Sequence, residues 1–485
     1  MARVLLTHSY LYRSDPKQWA DQRPYPPLGT LLAAAVLRDA GHDVRVFDTG
    51  LCRSSKELDP VLLTWEPEVL VIHDDGFNYL TKMCLTVMRE AAFRMIQAGR
   101  SSECFIVVNS SDATDHFADY LRAGADAVIL GESEMTLKEM LDRWSGRSRW
   151  QEVHGIAWLE GDDVIRTAPR PVMRDLDSLP LPAWDLIDLE PYRVIWERSQ
   201  GIFSLNMATT RGCPFKCNWC AKPIYGNRYN SRTPEHVVQE IELLLKDHGP
   251  GHIWFADDIF GLKPGWVQRF REVLEDRGVT IRYKIQSRVD LLLENDTIDA
   301  LVDSGLEEVW VGAESGSQRI LDAMDKGIRV EQIHEATDLL RSKGVRVCFF
   351  LQFGYLDETE EDVESTIRMV EELLPDDIGV SISYPLPGTR FHEKVKADLV
   401  DKANWTDSDD LAMMFRNRHR PAYYKKLHRY VHKRYRRKQA LAALAGLSSN
   451  LSSATLKRSL SMLYYVPATI AEGHGLRKMA SHRAE

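Results

Sequence analysis

The chain has 485 residues, 44% apolar and 27% charged, with a net charge of −9, which is ordinary for a globular protein of two or three domains. Its first residues show no charged-then-apolar pattern, so we expect no signal peptide, and no run of about 18 apolar residues predicts a membrane span. Four of the seven cysteines are scattered singly, which argues against a secreted disulfide framework, so we expect a reducing, cytoplasmic setting.

The first 150 residues alternate between short buried runs and helical stretches. Gly41 and Gly124 lie where helices are expected to end, because glycine is common at helix C-termini. The alternation predicts an α/β domain with a parallel, doubly wound sheet over residues 1–150. The predicted strands are Arg3–Thr7, Val44–Phe47, Val69–His73, Phe105–Val108 and Ala127–Leu130, and the helices include Leu31–Ala40 and Asp115–Ala123.

Polar residues follow every predicted strand of this first sheet. The third strand is followed by HDDGFN, the fourth by NSSDAT and the fifth by GESE. Ligands bind beyond the carboxyl ends of the strands in such sheets, so these loops predict a ligand-binding face. No G-x-G-x-x-G follows the first strand, which disfavours a dinucleotide.

A Pro-rich linker is predicted over residues 151–198, and a second series of strands and helices follows over 199–405. Six βα units predict a barrel or partial barrel, with chemistry at the carboxyl ends of the strands. The strands are predicted at Phe203–Ala208, His252–Ala256, Arg282–Gln286, Glu308–Gly312, Val345–Gln352 and Ile378–Ser383, with helices such as Pro234–Leu245, Trp266–Arg277 and Glu360–Leu374.

Three cysteines lie within the stretch RGCPFKCNWC, directly after the first strand of the second series. A structural zinc site uses four ligands, and no fourth Cys or His lies within the short spacing of such sites. Cysteine thiolates usually hold a [4Fe-4S] cluster, which normally takes four. Ligation by Cys213, Cys217 and Cys220 alone leaves one iron open to a small molecule.

The C-x₃-C-x₂-C spacing resembles the signature of the radical S-adenosylmethionine superfamily, whose open iron binds S-adenosyl-L-methionine. The resemblance implies that the reduced cluster cleaves this cofactor to methionine and a 5′-deoxyadenosyl radical. The alternatives for the acidic and Arg residues are ion pairs or helix caps. The implied cofactor contacts are Trp219 before the last cysteine, Asp257 and Asp258 in WFADDIF, Ser287 and Arg288 in QSRVD, and Glu314 and Ser315 in VGAESGS.

The order of the two domains resembles the cobalamin-dependent class of this superfamily, with a Rossmann-like cobalamin-binding domain before a partial (β/α)6, TIM-like barrel. Stretches such as GESE and PYPPLGT are similar to loops of its cobalamin domain, although small polar loop residues are most often only turns. The implied cobalamin contacts are Pro27, Asp74, Ser110, Ser111, Gly131 and Glu132.

The lower face of cobalt is expected to lack a protein imidazole. None of the fifteen histidines follows an Asp at the spacing of the Asp-x-His-x-x-G motif. His8 and His73 lie at strand ends and are the alternatives, although a structural role is the simpler interpretation of each.

The C-terminal region, residues 406–485, is predicted to be helical and basic. Residues 411–485 carry 16 Lys and Arg against two acids, a net +14, while the rest of the chain is acidic. The stretch 407–438 resembles the region after the core in anaerobic magnesium-protoporphyrin monomethyl ester oxidative cyclases. A helix over Tyr424–Arg437 predicts either packing on the core with a solvated basic face, or contact with an anionic membrane or an acidic substrate. Nucleic acid is not expected, because no recognisable nucleic-acid-binding fold is present.

The resemblance implies an enzyme that functionalises an unreactive carbon, and we expect methyl transfer. The alternatives are cyclase-like oxidation or ring formation on a tetrapyrrole or other secondary metabolite, a non-catalytic cobalamin or redox sensor, and a membrane-assembly component. Expected partners are a small-molecule substrate, an external flavodoxin- or ferredoxin-type electron donor and a possible membrane surface. No catalytic residue is assigned.

Overall fold

A computed structural model describes residues 1–146, 148–402, 404–445 and 452–480. The chain divides into two compact units. Unit one comprises Met1–Pro214, Lys222–Ile285 and Asn404–Asp410, and unit two comprises Phe215–Ala221, Gln286–Ala403 and Leu411–Glu485. Residues 446–451 and 481–485 of the predicted C-terminal region lie outside the described residues.

The first sheet of unit one has seven strands in the order β2-β1-β3-β4-β5-β6-β7. The first five are parallel, and β6 and β7 extend the sheet antiparallel beside β5. The strands are β1 (Arg3–Thr7), β2 (Asp43–Phe47), β3 (Val69–His73), β4 (Phe105–Asn109), β5 (Ala127–Ile129), β6 (Ile156–Glu160) and β7 (Asp163–Arg166).

Both faces of this sheet are buried, as the continuous apolar strands predict. Val4 and Leu6 of β1 belong to one core cluster and Leu5 to the other, because successive side chains of a strand point to opposite faces. The doubly wound sheet predicted for the first 150 residues is therefore present.

Two features of unit one differ from the predicted elements. Strands β6 and β7 lie within the stretch predicted as a linker, whose prolines follow them rather than interrupt them. The helix predicted over Asp115–Ala123 is two short helices that meet at His116. The helices of unit one are α1 (Pro16–Asp21), α2 (Leu28–Asp39), α3 (Asp59–Trp65), α4 (Tyr79–Lys82), α5 (Thr86–Ser101), α6 (Ser111–Asp115), α7 (Phe117–Arg122), α8 (Glu134–Ser145), α9 (Glu190–Gln200), α10 (Pro234–Asp247) and α11 (Trp266–Arg277).

Unit one also contains the first strands of the second series. Strand β11 pairs in parallel with β8 and with β12, and β9 pairs antiparallel with β10. Their bounds are β8 (Ser204–Met207), β9 (Thr210–Arg211), β10 (Asn230–Ser231), β11 (His252–Phe255) and β12 (Tyr283–Ser287), of which the last two residues belong to unit two.

Unit two contains β13 (Leu306–Glu314), β14 (Arg346–Phe353) and β15 (Asp377–Ile382), which pair in parallel. With β8, β11 and β12 they are the six strands of the predicted partial (β/α)6 barrel. The helices of unit two are α12 (Val289–Leu292), α13 (Thr297–Asp303), α14 (Gln318–Ala323), α15 (Val330–Ser342), α16 (Glu360–Leu373), α17 (Arg390–Val395), α18 (Pro421–Ala445), α19 (Ser453–Leu460) and α20 (Met462–Ala480).

The end of the chain is helical, as predicted, and α18 extends beyond the predicted Tyr424–Arg437 at both ends. Within the residues described above, no helix combines the length and the apolar character needed to cross a membrane.

Candidate functional site

The loop that carries Cys217 and Cys220 is anchored by the side chain between them in sequence, Asn218. Its amide nitrogen Nδ2 donates to the carbonyl of Ala323 at 2.7 Å, and its Oδ1 accepts from the Tyr355 hydroxyl at 2.8 Å. Its backbone N–H donates to the carbonyl of Met324 at 3.0 Å. Asn218 is buried while both cysteines are half-buried, so the anchor holds the loop without covering its sulfurs.

Arg288 lies against the same loop. Its guanidinium carbon is 3.8 Å from the centroid of the Phe215 ring, and its Nη1 is 4.0 Å from the Cys217 sulfur. Asp290 accepts from the guanidinium at 2.9 and 3.0 Å, so the ion pair weighed for this Arg is present. The pair places a buried cation beside one predicted cluster ligand.

Trp219 is half-buried, and its indole Nε1 is buried without a hydrogen-bond partner among the described residues. Buried indole N–H groups usually find a partner, so this donor is suited to a polar ligand. The observation fits a cofactor bound beside the cysteine loop.

Cys213 lies in unit one and is buried. The preceding Gly212 has φ of +77°, and a Cβ there would lie 2.3 Å from the carbonyl oxygen of Arg228, so only glycine fits this approach. Among the described residues, no three His, Cys, Asp or Glu side chains are gathered as a metal site. The fit to a cluster therefore rests on the donor set, because three thiols at this spacing match iron-sulfur ligation.

A buried ion cluster lies two residues before Cys213. Arg211 pairs with Glu132 and with Glu134, the latter at 2.7 Å, and all three side chains are less than a tenth exposed. Burial raises the pKa of Glu132 more than Arg211 lowers it. At Glu134 burial also raises the pKa, but Arg211 and His73 together hold it below its ordinary value. Glu132, predicted to contact cobalamin, is thus engaged by Arg211 and by the Met173 N–H.

Asp257 and Asp258 have different surroundings at the end of β11. Asp257 is buried and accepts four hydrogen bonds of 2.7–2.8 Å from the backbone and hydroxyl groups of Thr209 and Thr210. Burial raises its pKa to about 6 despite these bonds. Asp258 is paired with Lys82 at 2.7 Å. Asp257 thus ties down the turn that leads into the cysteine motif.

The remaining predicted contacts to S-adenosylmethionine lie in unit two. Ser287 is buried at the end of β12. Glu314 ends β13 with φ of +57° after a register shift and accepts from Lys326 at 2.8 Å. Ser315 contacts the Thr366 hydroxyl at 3.0 Å. Glu314 combines a left-handed backbone with a buried ion pair, and such strain is concentrated at ligand sites.

The predicted cobalamin contacts line the carboxyl ends of the first sheet. Asp74 accepts from the N–H and hydroxyl of Ser9 at 2.6 and 2.8 Å. Ser110 caps α6 through the Ala113 N–H, and Ser111 is the first residue of that helix. Pro27 precedes α2, and Gly131 has φ of +84°.

Two residues that the sequence did not single out add orphaned polar atoms to unit one. Oδ2 of Asp75 and Oδ1 of Asn206 are buried without hydrogen-bond partners among the described residues. Buried polar atoms usually have partners, so each of these two atoms is suited to contact a polar group of a bound cofactor.

The two candidate cobalt ligands have protein partners. His8 Nε2 lies 2.8 Å from Asp48, whose other oxygen accepts from the Tyr192 hydroxyl. His73 Nε2 lies 2.7 Å from the Ser133 hydroxyl, and burial lowers the pKa of this imidazole to about 4. Each ring thus has one protein partner, and the Nδ1 atom of His73 is buried without a hydrogen-bond partner among the described residues.

Residues 207–370 match the family model of the radical SAM superfamily. An uncharacterised methyltransferase of Pyrococcus horikoshii is 29% identical over 388 residues, which are 78% of this chain and 81% of that protein. The anaerobic magnesium-protoporphyrin IX monomethyl ester cyclase of Cereibacter sphaeroides is 30% identical over 278 residues, which are 56% of this chain and 45% of that protein.

Among solved structures, the radical S-adenosylmethionine methyltransferase TsrM of Kitasatospora setae, with cobalamin and a [4Fe-4S] cluster bound, superposes with a TM-score of 0.68 at 19% identity. The match covers 82% of this chain and 75% of that chain. At this identity the likeness shows a shared fold.

Proposed function

We infer, from the premise that residues 207–370 of this chain form a radical S-adenosylmethionine domain, that the protein is a cobalamin-dependent radical S-adenosylmethionine enzyme. One observation carries this inference: the three thiols follow β8, in a loop that Asn218 anchors and Arg288 flanks, within the matched domain. The doubly wound sheet before that domain supports the cobalamin-dependent class.

We propose that the chain has four regions: a cobalamin-binding domain (1–150), a linker (151–198), a radical S-adenosylmethionine core (199–405) and a helical, basic C-terminal region (406–485). Cys213, Cys217 and Cys220 would hold the cluster. When bound, the cluster supplies the electron that cleaves S-adenosylmethionine, and cobalamin supplies a methyl carrier. The other proposed contacts are Trp219, Asp257, Asp258, Ser287, Arg288, Glu314 and Ser315 for S-adenosylmethionine, and Pro27, Asp74, Ser110, Ser111, Gly131 and Glu132 for cobalamin.

Residues of the chain position these groups. Asn218 fixes the loop between two sulfurs. Arg288 offers a buried cation suited to a carboxylate, and its guanidinium would then be shared between that carboxylate and Asp290. Asp257 already accepts four hydrogen bonds, so we propose that it acts mainly by holding the turn at Thr209 and Thr210.

Methyl transfer is the proposed reaction. The methyltransferase relative is 29% identical over 78% of this chain, and a cyclase relative of Synechocystis is 26% identical over 76% of it, so the somewhat higher identity of the methyltransferase supports this reaction. The cyclase likeness favours the second candidate, oxidation or ring formation on a tetrapyrrole or other secondary metabolite. A non-catalytic sensor is disfavoured because it would need no S-adenosylmethionine pocket, and the polar residues after the strands at 257–258, 287–288 and 314–315 would then have no use.

The proposed partners follow from this chemistry. The substrate is a small molecule, and cluster reduction calls for an external one-electron donor of the flavodoxin or ferredoxin type. We also propose that the C-terminal region meets an anionic membrane surface. A cytoplasmic setting stays a prediction from the scattered cysteines.

The test uses the reduced, anaerobically reconstituted full chain with S-adenosylmethionine that carries a deuterated methyl group. Candidate small molecules are then searched by mass spectrometry. A product that gains the deuterated methyl supports methyl transfer, and a product that loses hydrogen without label supports the oxidative candidate. Failure to form any of 5′-deoxyadenosine, methionine and S-adenosylhomocysteine would overturn the enzymatic assignment.

A further inference from the structure

Helices α19 and α20 expose several large apolar side chains, and α20 turns a face of mostly small residues toward α18. In α20 the buried residues Thr469, Gly473 and Leu476 recur at positions four and three apart, which places them on one face. A Cβ at Gly473 would lie 3.0 Å from the Tyr430 ring of α18, so this face packs closely on α18. The large side chains that remain exposed are Leu456 (47%), Leu460 (57%), Leu463 (72%), Tyr464 (60%) and Ile470 (63%).

These five side chains, which we name the apolar stripe, follow helical spacing. Leu456, Leu460 and Leu463 lie four and three residues apart, and Ile470 lies seven residues after Leu463. Leu456 and Leu460 therefore share one face of α19, which ends at Leu460, and Leu463 and Ile470 share one face of α20, which begins at Met462. A contiguous group of exposed apolar side chains marks an interaction site, whereas single exposed apolar residues are common on any protein surface.

Charge on these two helices identifies the partner. Lys457, Arg458, Arg477 and Lys478 are exposed near the two ends of the apolar stripe. Glu472 is the single acid between Ser452 and Ala480, and it pairs with Lys426 and Lys433 of α18 at 2.7 and 2.8 Å. The stripe therefore has a positive border, which complements an anionic surface and opposes a second copy of itself.

Most basic side chains of α18 form ion pairs with acidic residues of unit two. Arg434 pairs with Glu364 and Glu371, and Arg436 pairs with Asp377. The helix that the sequence singled out for surface contact is thus packed, and at least six of its eight Lys and Arg side chains share four carboxylates in ion pairs. The exposed apolar residues lie on the two helices after it.

We propose that the apolar stripe, with its basic border, inserts into the interface of an anionic lipid bilayer and lies in its plane. Apolar residues on one helix face with Lys and Arg beside them bind in this manner, and binding combines buried apolar area with attraction to anionic lipid. The inference refines the proposed membrane partner and does not depend on the radical chemistry.

The test is flotation of the full chain with vesicles of phosphatidylglycerol and phosphatidylcholine, and with phosphatidylcholine alone. The Leu456→Ser/Leu463→Ser/Ile470→Ser variant should partition at least about tenfold more weakly, because three apolar side chains no longer leave water. The matched control is Leu63→Ser/Val194→Ser, since Leu63 and Val194 are 72% and 50% exposed in unit one, and it should bind as the parent does.

Binding of the parent should require phosphatidylglycerol and weaken in high salt. Equal flotation of the parent and the triple variant, or no flotation of the parent, would overturn the proposal. A concentration-dependent dimer without vesicles that the triple variant abolishes would instead assign the stripe to self-association. Iron content and the thermal unfolding midpoint show that each variant is folded, and S-adenosylmethionine cleavage without vesicles reports on the enzymatic assignment separately.

Discussion

Asn218 connects the cysteine loop to parts of the chain that follow it by 105 and 137 residues, at Ala323 and Tyr355. An Asn between two cysteines has no sequence signal of its own, since its role depends on partners that only the fold brings near. The cysteines themselves were recognisable because their chemistry requires a fixed spacing.

The Asn218→Ala variant should lose about 1–2 kcal/mol of unfolding free energy, because two buried hydrogen bonds of Asn218 are removed, while the Tyr355 hydroxyl can still donate to the Ala323 carbonyl at 2.9 Å. The reconstituted variant should also release iron faster on incubation with a chelator. The control is Asn227→Ala, which removes the same side chain at an exposed position bonded to Lys222. Iron retention equal to the parent in both variants would contradict the anchoring role.

Neither His8 nor His73 is expected to ligate cobalt, since neither follows an Asp at the spacing of the Asp-x-His-x-x-G motif. Electron paramagnetic resonance of the Co(II) state of the cobalamin-loaded chain should show no nitrogen superhyperfine splitting from an axial imidazole. A splitting that disappears in His73→Ala would show that this buried, neutral ring is a ligand and that the expectation is wrong.

Two acidic residues of the candidate site have hydrogen-bond partners that the sequence did not predict. Asp257 and Glu314 were both identified from their places after strands, with a structural alternative for each. Asp257 accepts from two threonines and Glu314 from Lys326, partners that lie 12 to 48 residues away. Residue type and position predicted burial near the site, but not which hydrogen bonds each carboxylate would make.

At the scale of elements, the strands buried on both faces were the most predictable. β1, β3 and the helix α11 have the bounds that the sequence predicts, because continuous apolar runs or clear helical spacing define them. The antiparallel pair β6 and β7 was missed because partial exposure interrupts its apolar pattern and the following prolines suggested a linker.

Ion pairs join helices α18 and α20: Glu472 of α20 pairs with Lys426 and Lys433 of α18. Hydrogen bonds from Lys426 and Lys433 hold the pKa of Glu472 at about 2, below the 4.3 of an unfolded glutamate. The native state therefore favours the ionised form, so this stabilisation is complete above about pH 4.3 and is lost as the pH falls toward 2.

The Glu472→Gln variant should open α20 more readily at neutral pH, with amide hydrogen exchange about fivefold faster, for a loss of about 1 kcal/mol. The difference from the parent should shrink as the pH falls below about 4.3. Glu361→Gln removes the same charge from an exposed position on α16 and should leave α20 unchanged. If the difference in exchange between variant and parent stays constant from neutral pH to pH 2, the ion pairs of Glu472 are not its cause.

At the scale of the whole molecule, the order of a doubly wound sheet, a partial barrel and a helical end was predictable, because alternating strands and helices leave few topologies. The reaction was not, since a substrate pocket is built from loops without a fixed pattern. The relatives point to methyl transfer and to oxidative cyclisation. For this chain we propose that either reaction begins with cleavage of S-adenosylmethionine by a cluster on three cysteines.

The measurement that tests this proposal is iron content together with 5′-deoxyadenosine formation in the anaerobically reconstituted, reduced full chain. We predict about four irons per chain and cleavage of S-adenosylmethionine in the parent. Cys213→Ala/Cys217→Ala/Cys220→Ala should lose both, whereas Cys52→Ala, at a cysteine as exposed as Cys217, should keep both. A triple variant that retains the cluster and the cleavage would contradict the account.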